Sequence, residues 1–344
     1  VTKLRKRTEE IRQFIMENVG QYPKDITNLT ARRFDITRQA VNKHIQSLVE
    51  QKTLALSSTT HSRLYVLQPI EQWVKSYVLS KALEEHVVWE NDISPRLGEI
   101  PENILDIWQH GFTEMLNNAI DHSSGKNVKI FLTRTAIATQ IVISDDGEGI
   151  FKKIQREMGL MDERHAVLEL AKGKLTTDPK HHSGEGIFFS SRMFDDFSIH
   201  SGSVVFNHKH DKVEDWIFEM EKSQSGTMVF MKLNNNVTRT SKEVFDKYAG
   251  DEDFCFTKTV VPVRLAQYGH EKLISRSQAK RVLVRIDRFK IVIFDFKGVD
   301  MIGQAFADEI FRVFSKQYPD IELLHVNMSK EVEQMISRAK SRTD

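Results

Sequence analysis

GFTEMLNNAIDHS, residues 111–123, decides how the rest of the chain is read. Phe112, Met115, Leu116 and Ile120 recur at the spacing of one helix face turned to a core. Glu114, Asn118 and His122 fall at i, i+4 and i+8, so they share a second face. A carboxylate and a carboxamide one turn apart can do paired work. The amide oxygen suits Mg²⁺, a hard cation that takes oxygen ligands. The carboxylate suits orienting or deprotonating a water aimed at a terminal phosphate. His122 is expected to be a buried, hydrogen-bonded histidine, and neither it nor Asp121 is read as catalytic.

Two later segments extend this chemistry. IVISDDGEGI, residues 141–150, reads as a strand over Ile141–Ile143 that ends at Asp145, with Gly147 and Gly149 following in a D-x-G-x-G pattern. A carboxylate at a strand end can accept the exocyclic amine of adenine, and glycine lets the backbone come close to a ligand or take positive φ. HHSGEGIFFSSRMF, residues 181–194, sets Gly184 and Gly186 ahead of an apolar helix, where free backbone N–H groups can meet a phosphate. Each segment alone reads equally well as a tight turn or a polar helix face. All three in this order are far less expected by chance. Residues 151–182 between the last two are long and basic, with Lys172, Lys174, Lys180, His181 and His182. They are expected to form a lid, with most of these side chains on a solvated surface.

Together the three segments resemble the N, G1 and G2 boxes of the GHKL (histidine-kinase-like) ATPases, the fold shared by gyrase B subunits, mismatch-repair ATPases and histidine kinases. SGTMVFMKL, residues 225–233, resembles that family's late Gly-Thr strand. The resemblance implies ATP and Mg²⁺ as cofactors. It implies Glu114 as general base or water-orienting residue, Asn118 as Mg²⁺ ligand and Asp145 as the adenine-reading carboxylate. Gly147 and Gly149 would shape the pocket, Gly184 and Gly186 would contact phosphates, and Thr227 would lie near the phosphates or Asp145. Asp146 stands where many members carry Asn.

Upstream, Ile11, Phe14, Ile15 and Val19 mark a helix over Leu4 to Val19, and a short one follows around Thr27 to Phe34. Thr37 is placed to cap a helix through Leu48 and Val49. Ala40, Val41, Ile45 and Leu48 would pack inward, leaving Arg38, Gln39, Asn42, Lys43 and Gln46 outside, types that pair with base edges and phosphates. Leu54–Leu56 and Leu64–Val66 read as a hairpin. The unit resembles a winged helix-turn-helix with residues 37–51 as recognition helix, which implies DNA contact through Arg38, Gln39, Asn42 and Lys43, with Arg63 on the wing.

Downstream, Ala279–Ile286 is expected as a strand, 290–299 as an apolar strand, Gln304–Gln317 as a helix, Ile321–Val326 as a strand and Lys330–Ala339 as a helix. This order implies a parallel or mixed sheet with helices packed on it. VIFDFKGVDMIGQAFADEIF resembles the STAS-like (DUF4325-type) units found fused to GHKL ATPases. Phosphorylatable relatives carry Ser or Thr in the loop after the apolar strand. Here Ile302, Gly303, Gln304 and Ala305 offer no hydroxyl, so a docking or dimerising role for a protein partner is expected instead of a phospho-switch.

The expected architecture is a multidomain α/β chain: winged helix-turn-helix 1–68, helical linker 69–100, GHKL α+β sandwich core 101–240, linker 241–269 and STAS-like α/β unit 270–344. The 344 residues suffice for that many units. No apolar run is long enough to span a membrane, the leading residues lack the apolar centre of a signal peptide, and a cytoplasmic location is the default expectation. With Cys255 alone, no internal disulfide forms. Net charge is +1, yet residues 1–66 hold 12 basic against 6 acidic residues, a bias that suits nucleic acid.

These features favour an ATP-binding, ATP-hydrolysing DNA-binding regulator, expected as a homodimer. The competing classes are a histidine or anti-sigma-factor-type serine kinase and a defence or stress ATPase that senses DNA. His86, in KALEEHVVWEN, is the nearest phosphoacceptor candidate, and its surroundings do not resemble an acceptor helix.

Overall fold

The computed structural model describes residues 2–59, 62–175, 184–210, 216–249, 256–267 and 271–341. Three helices lead: α1 (Thr2–Asn18), α2 (Ile26–Phe34) and α3 (Arg38–Glu50). Thr37 Oγ1 accepts the Ala40 amide at 3.2 Å, the cap expected from its position. A hairpin follows, β1 (Leu54–Thr59) with β2 (Ser62–Leu67), and Leu54 faces Leu67 across it. Ile11, Ile15, Ile26, Val41, Ile45, Leu48 and Leu54 close a small core of their own, separate from the core of the rest of the molecule.

The central unit is a five-stranded antiparallel sheet in the order β3-β4-β5-β7-β6. Its strands are β3 (Glu71–Val78), β4 (Asn127–Arg134), β5 (Ala138–Asp145), β6 (Asp196–Lys209) and β7 (Trp216–Asn234). Alternation puts Val128, Ile130 and Leu132 of β4, and Ile141 and Ile143 of β5, on the buried face. A helical segment over 85–97 (α4) and the long helix α5 (Glu102–His122) cover that face. In α5 the buried positions Ile104, Ile107, Trp108, Gly111, Phe112, Met115, Leu116 and Ala119 form one stripe, and each large one contributes roughly 1.5–3 kcal/mol by leaving water. Trp108 packs on Phe194 with ring centres 4.8 Å apart.

The stretch 69–100, expected as a helical linker, is helical only over 85–97. Residues 71–78 are the edge strand β3, paired with β4 from Glu71–Arg134 to Val78–Asn127. Trp73 and Tyr77 stand four apart, a spacing that fits both a helix face and one side of a strand. Strand pairing wins because Tyr77 reaches Asp92 of α4 at 2.8 Å and Arg96 lies 4.8 Å over the Trp73 ring, clasping α4 to the strand. Helices occupy much of the expected lid, 151–182, among its described residues. They are α6 (Ile150–Met158) and α7 (Glu163–Lys172). Helix α8 (Gly186–Met193) follows and packs against α5 and β6.

The C-terminal unit is a parallel sheet, β10-β9-β8, made of β8 (Lys258–Pro262), β9 (Ile291–Asp295) and β10 (Glu322–Val326). Strand β8 lies inside the expected linker 241–269, which also holds α9 (Ser241–Asp246), packed against α8 and α5. Its run of Thr259, Val260 and Val261 was the β-branched signal for a strand. The expected strand Ala279–Ile286 is a helix, α10 (Arg276–Leu283). A Ser275–Gln278 capping box starts it, and Ala279 and Val282, three apart, turn inward; the apparent alternation of Val282, Val284 and Ile286 arises only past the helix end. Residues 304–317 (α11) are helical with a π turn at Glu309–Phe314, and α12 (Lys330–Lys340) closes the unit.

Central and C-terminal units share one continuous core. Phe188 of α8 meets Phe256 with ring centres 4.6 Å apart, and Phe256 meets Phe289 at 5.5 Å. Among the described residues no helix is long and apolar enough to cross a membrane. Cys255 lies outside the described residues.

Candidate functional site

A cavity of about 270 Å³ opens between α5, the end of β5, α6 and the start of α8. Glu114, Asn118 and His122 come from α5, the shared face read from their spacing. Asp145, Gly184, Gly186 and Thr227 join them from separate parts of the chain. Met115, Ile143, Leu170, Phe188, Ile199 and Val229 supply the apolar walls. A mostly apolar cleft with a few convergent polar groups is the usual form of a small-molecule site.

Asp145 is 8% exposed. Its Oδ1 accepts the Gly147 amide at 2.9 Å and the Thr227 amide at 3.2 Å. Both bonds land on one oxygen, so Oδ2 remains to accept from a ligand. Burial pushes its carboxyl above the usual range, opposed by those two amides, while the neighbouring Asp146 charge pushes the same way as burial. Thr227 Oγ1 in turn accepts the Ile150 amide at 3.0 Å, tying β7 to the first turn of α6. Gly226, the glycine of the Gly-Thr stretch, is a further site residue to which the sequence reading gave no role. It sits at φ 75°, and a Cβ there would lie 2.0 Å from the Asp145 carbonyl oxygen, so only glycine lets β7 close over that aspartate.

Across the cavity, Glu114 lies against the start of α8. A Cβ on Gly186 would come within 1.9 Å of Glu114 Oε2, so a side chain at 186 would displace the Glu114 carboxylate. Gly147 and Gly149 do not line the cavity directly. Gly147 packs on the Ser123 carbonyl, and Gly149, at φ 92°, precedes α6 and packs on Ser201. They hold the loop that carries Asp145, as walls behind the first layer of contacts.

Other expectations need correction. His122 is half-buried at the cavity wall, where its carbonyl accepts Lys153 Nζ at 2.9 Å. Lys153 lines the cavity from α6 and was not anticipated, because nothing in IFKKIQREM distinguishes it from Lys152. Lys172 is not on a solvated surface: it is 1% exposed and donates to Glu169 at 2.6 Å. Lys180, His181 and His182 lie outside the described residues. Asp146 accepts the Lys126 and Asn127 amides at 2.6 and 2.9 Å, so it ties the start of β4 to the loop after β5. His86 is exposed and pairs with Glu84 at 3.5 Å.

On α3, Arg38, Gln39, Asn42, Lys43 and Gln46 are exposed while Val41, Ile45 and Leu48 are buried; Ala40, expected inside, is only half-buried. The Arg63 side chain lies outside the described residues.

Comparison with known families follows this geometry. Residues 88–206 match the histidine kinase-like ATPase domain, and residues 278–333 match a STAS-like domain of unknown function (DUF4325). No curated protein matched the chain. The first match contains Glu114, Asn118, Asp145 and both glycine pairs, so most of the cavity lies in the stretch that is similar to a histidine kinase-like ATPase domain, which supports an ATP-binding function of the ATPase and kinase type. Strands β3 and β7 extend the same sheet beyond its limits. The N-terminal helices and hairpin lie outside both matches.

Proposed function

We propose that this chain is a Mg²⁺-dependent ATPase that binds DNA, and that nucleotide state controls how its units are arranged. The observation that carries the nucleotide reading is Asp145: a buried carboxylate with one oxygen held by two backbone amides and the other left for a ligand, on the wall of an apolar cavity. Adenine offers the amine that such an acceptor takes. Asn118, one turn from Glu114, suits a Mg²⁺ that takes its other ligands from phosphates and water. Bound Mg²⁺ would neutralise developing phosphate charge. Glu114 would orient the attacking water, and the α8 amides beginning at Gly186 would face the phosphates.

DNA binding rests on α3. Its exposed face gathers Arg38, Gln39, Asn42 and Lys43, and residues 1–66 carry the chain's basic excess. Three helices and a hairpin suit a winged helix-turn-helix with α3 in the major groove. A C-terminal STAS-like unit without a hydroxyl at 302–305 suits docking or homodimerisation.

Filter binding of the full chain to a duplex library tests the DNA reading. Retention should fall steeply with salt. Reversing both charges, Arg38→Glu with Lys43→Glu, should weaken it by about 100-fold or more while nucleotide affinity holds. Unchanged retention would remove α3 as the DNA-contacting element.

A further inference from the structure

The STAS-like unit contacts the segment that leads into the cavity through a buried polar network. Glu169 of α7 is fully buried. Lys172 Nζ donates to it at 2.6 Å and to the Val284 carbonyl at 2.9 Å, and His165 Nε2 stands 3.6 Å away. Arg285, from the STAS-like unit, adds a contact from Nη1 to Glu169 Oε2 at 3.4 Å. Burial pushes the Glu169 carboxyl up, but Lys172, His165 and Arg285 together hold it below the usual range. From β8, Thr259 Oγ1 donates to the Lys172 carbonyl at 2.7 Å.

The network continues toward the ligand. Arg285 Nη2 donates to the Lys174 carbonyl, and Arg288 Nη1 donates to the same oxygen at 3.2 Å. The next residue, Leu175, lines the cavity, and its amide donates to the Gly184 carbonyl at 3.0 Å. Gly184 also lines the cavity and stands two residues before Gly186. Three successive links therefore join a guanidinium of one unit to the backbone at the ligand site of another. Arg285 is itself held at φ 57°, a left-handed conformation that is uncommon for a residue with a Cβ and that a surrounding structure must enforce.

We propose that Arg285 is a positioning residue for the nucleotide site: the STAS-like unit fixes Lys174 and Leu175, and through them Gly184, so that nucleotide affinity depends on how that unit is seated. This rests on reading the cavity as a nucleotide site. It makes the STAS-like unit a regulatory input. A partner or second copy that unseats Arg285 weakens ATP binding, and by linkage ATP opposes that partner by the same factor.

Titration calorimetry of the full chain with Mg-ATP tests this, comparing wild type with Arg285→Ala, Arg285→Lys and Arg281→Ala. Arg281 donates to the Ala266 carbonyl at 3.1 Å within the same unit, so it reports general loosening of that unit. Arg285→Ala should raise Kd about tenfold, Arg285→Lys should recover much of the loss, and Arg281→Ala should stay near wild type. Wild-type affinity in Arg285→Ala overturns the proposal, as does an equal loss in Arg281→Ala. If Arg285→Ala does not fold, Arg288→Ala decides: this exposed residue donates to the same carbonyl. A severalfold rise in Kd then supports the proposal and no change overturns it. Wild-type protein that binds no nucleotide is a separate result, which removes the reading of the cavity and this inference with it.

Discussion

Asp145→Asn should lower Mg-ATP affinity by about 10- to 100-fold, the usual cost of losing a charge-assisted hydrogen bond and leaving a buried group mispaired. The chain around Asp145 explains why the substitution is severe despite its equal size. Two backbone amides, from Gly147 and Thr227, already converge on Oδ1. An asparagine oxygen can satisfy them, but its NH₂ then faces the adenine amine, donor against donor. Equilibrium binding of a fluorescent adenine nucleotide to folded variant and wild type measures the loss.

The same residue sets a pH dependence. Its carboxyl is held above the usual aspartate range, mainly by burial. Ionised Asp145 is the full acceptor, so affinity should rise with pH through a window displaced upward from the ordinary value of about 3.9. Asp145→Asn should remove that acid limb. The effect on folding has the opposite sign. An acid whose folded pKa is raised binds protons better when folded, so its contribution to stability falls as pH rises from the unfolded to the folded pKa.

Glu114→Gln should separate binding from turnover. The side chain lies in the cavity against Gly186, at the start of α8. Removing a general base or water-orienting carboxylate costs about 10²- to 10⁴-fold in rate. Phosphate release should therefore fall by at least about 100-fold, while Mg-ATP affinity stays within a few-fold. Glutamine fits the space that Gly186 leaves, so the variant retains the packing. Unaltered phosphate release in Glu114→Gln would assign the base elsewhere.

Much of this site was legible in the sequence because its parts are local patterns. The i, i+4, i+8 face of α5 needs only helical spacing, and Asp145 with its glycines needs only a strand followed by a turn. What could not be read depends on chain segments meeting at a distance. Gly226 matters because β7 lies beside the Asp145 carbonyl, a pairing that residue 226 does not announce. Lys172 looked like one of several solvated lysines, yet Glu169 and Val284 enclose it. Its burial depends on where the C-terminal unit docks, more than 100 residues later.

The fold shows the same division. Helices α1, α3, α5 and α12 carry long apolar stripes and were legible. Strand β3 was not, because Trp73 and Tyr77 suit either period over so few residues. Helix α10 was misread as a strand because Val282, Val284 and Ile286 alternate across its end, while the Ser275–Gln278 box that starts it was the stronger signal. Strand β8 falls inside the expected linker because the polar stretch around 241–258 masks its short β-branched run.

Titration calorimetry of the folded wild-type chain with Mg-ATP and with Mg-ADP tests the central claim most directly. Saturable heat with one nucleotide per chain is the expected result, reduced by Asp145→Asn under the same conditions. A flat titration at millimolar nucleotide, from protein whose melting transition is intact, would contradict the account at its base.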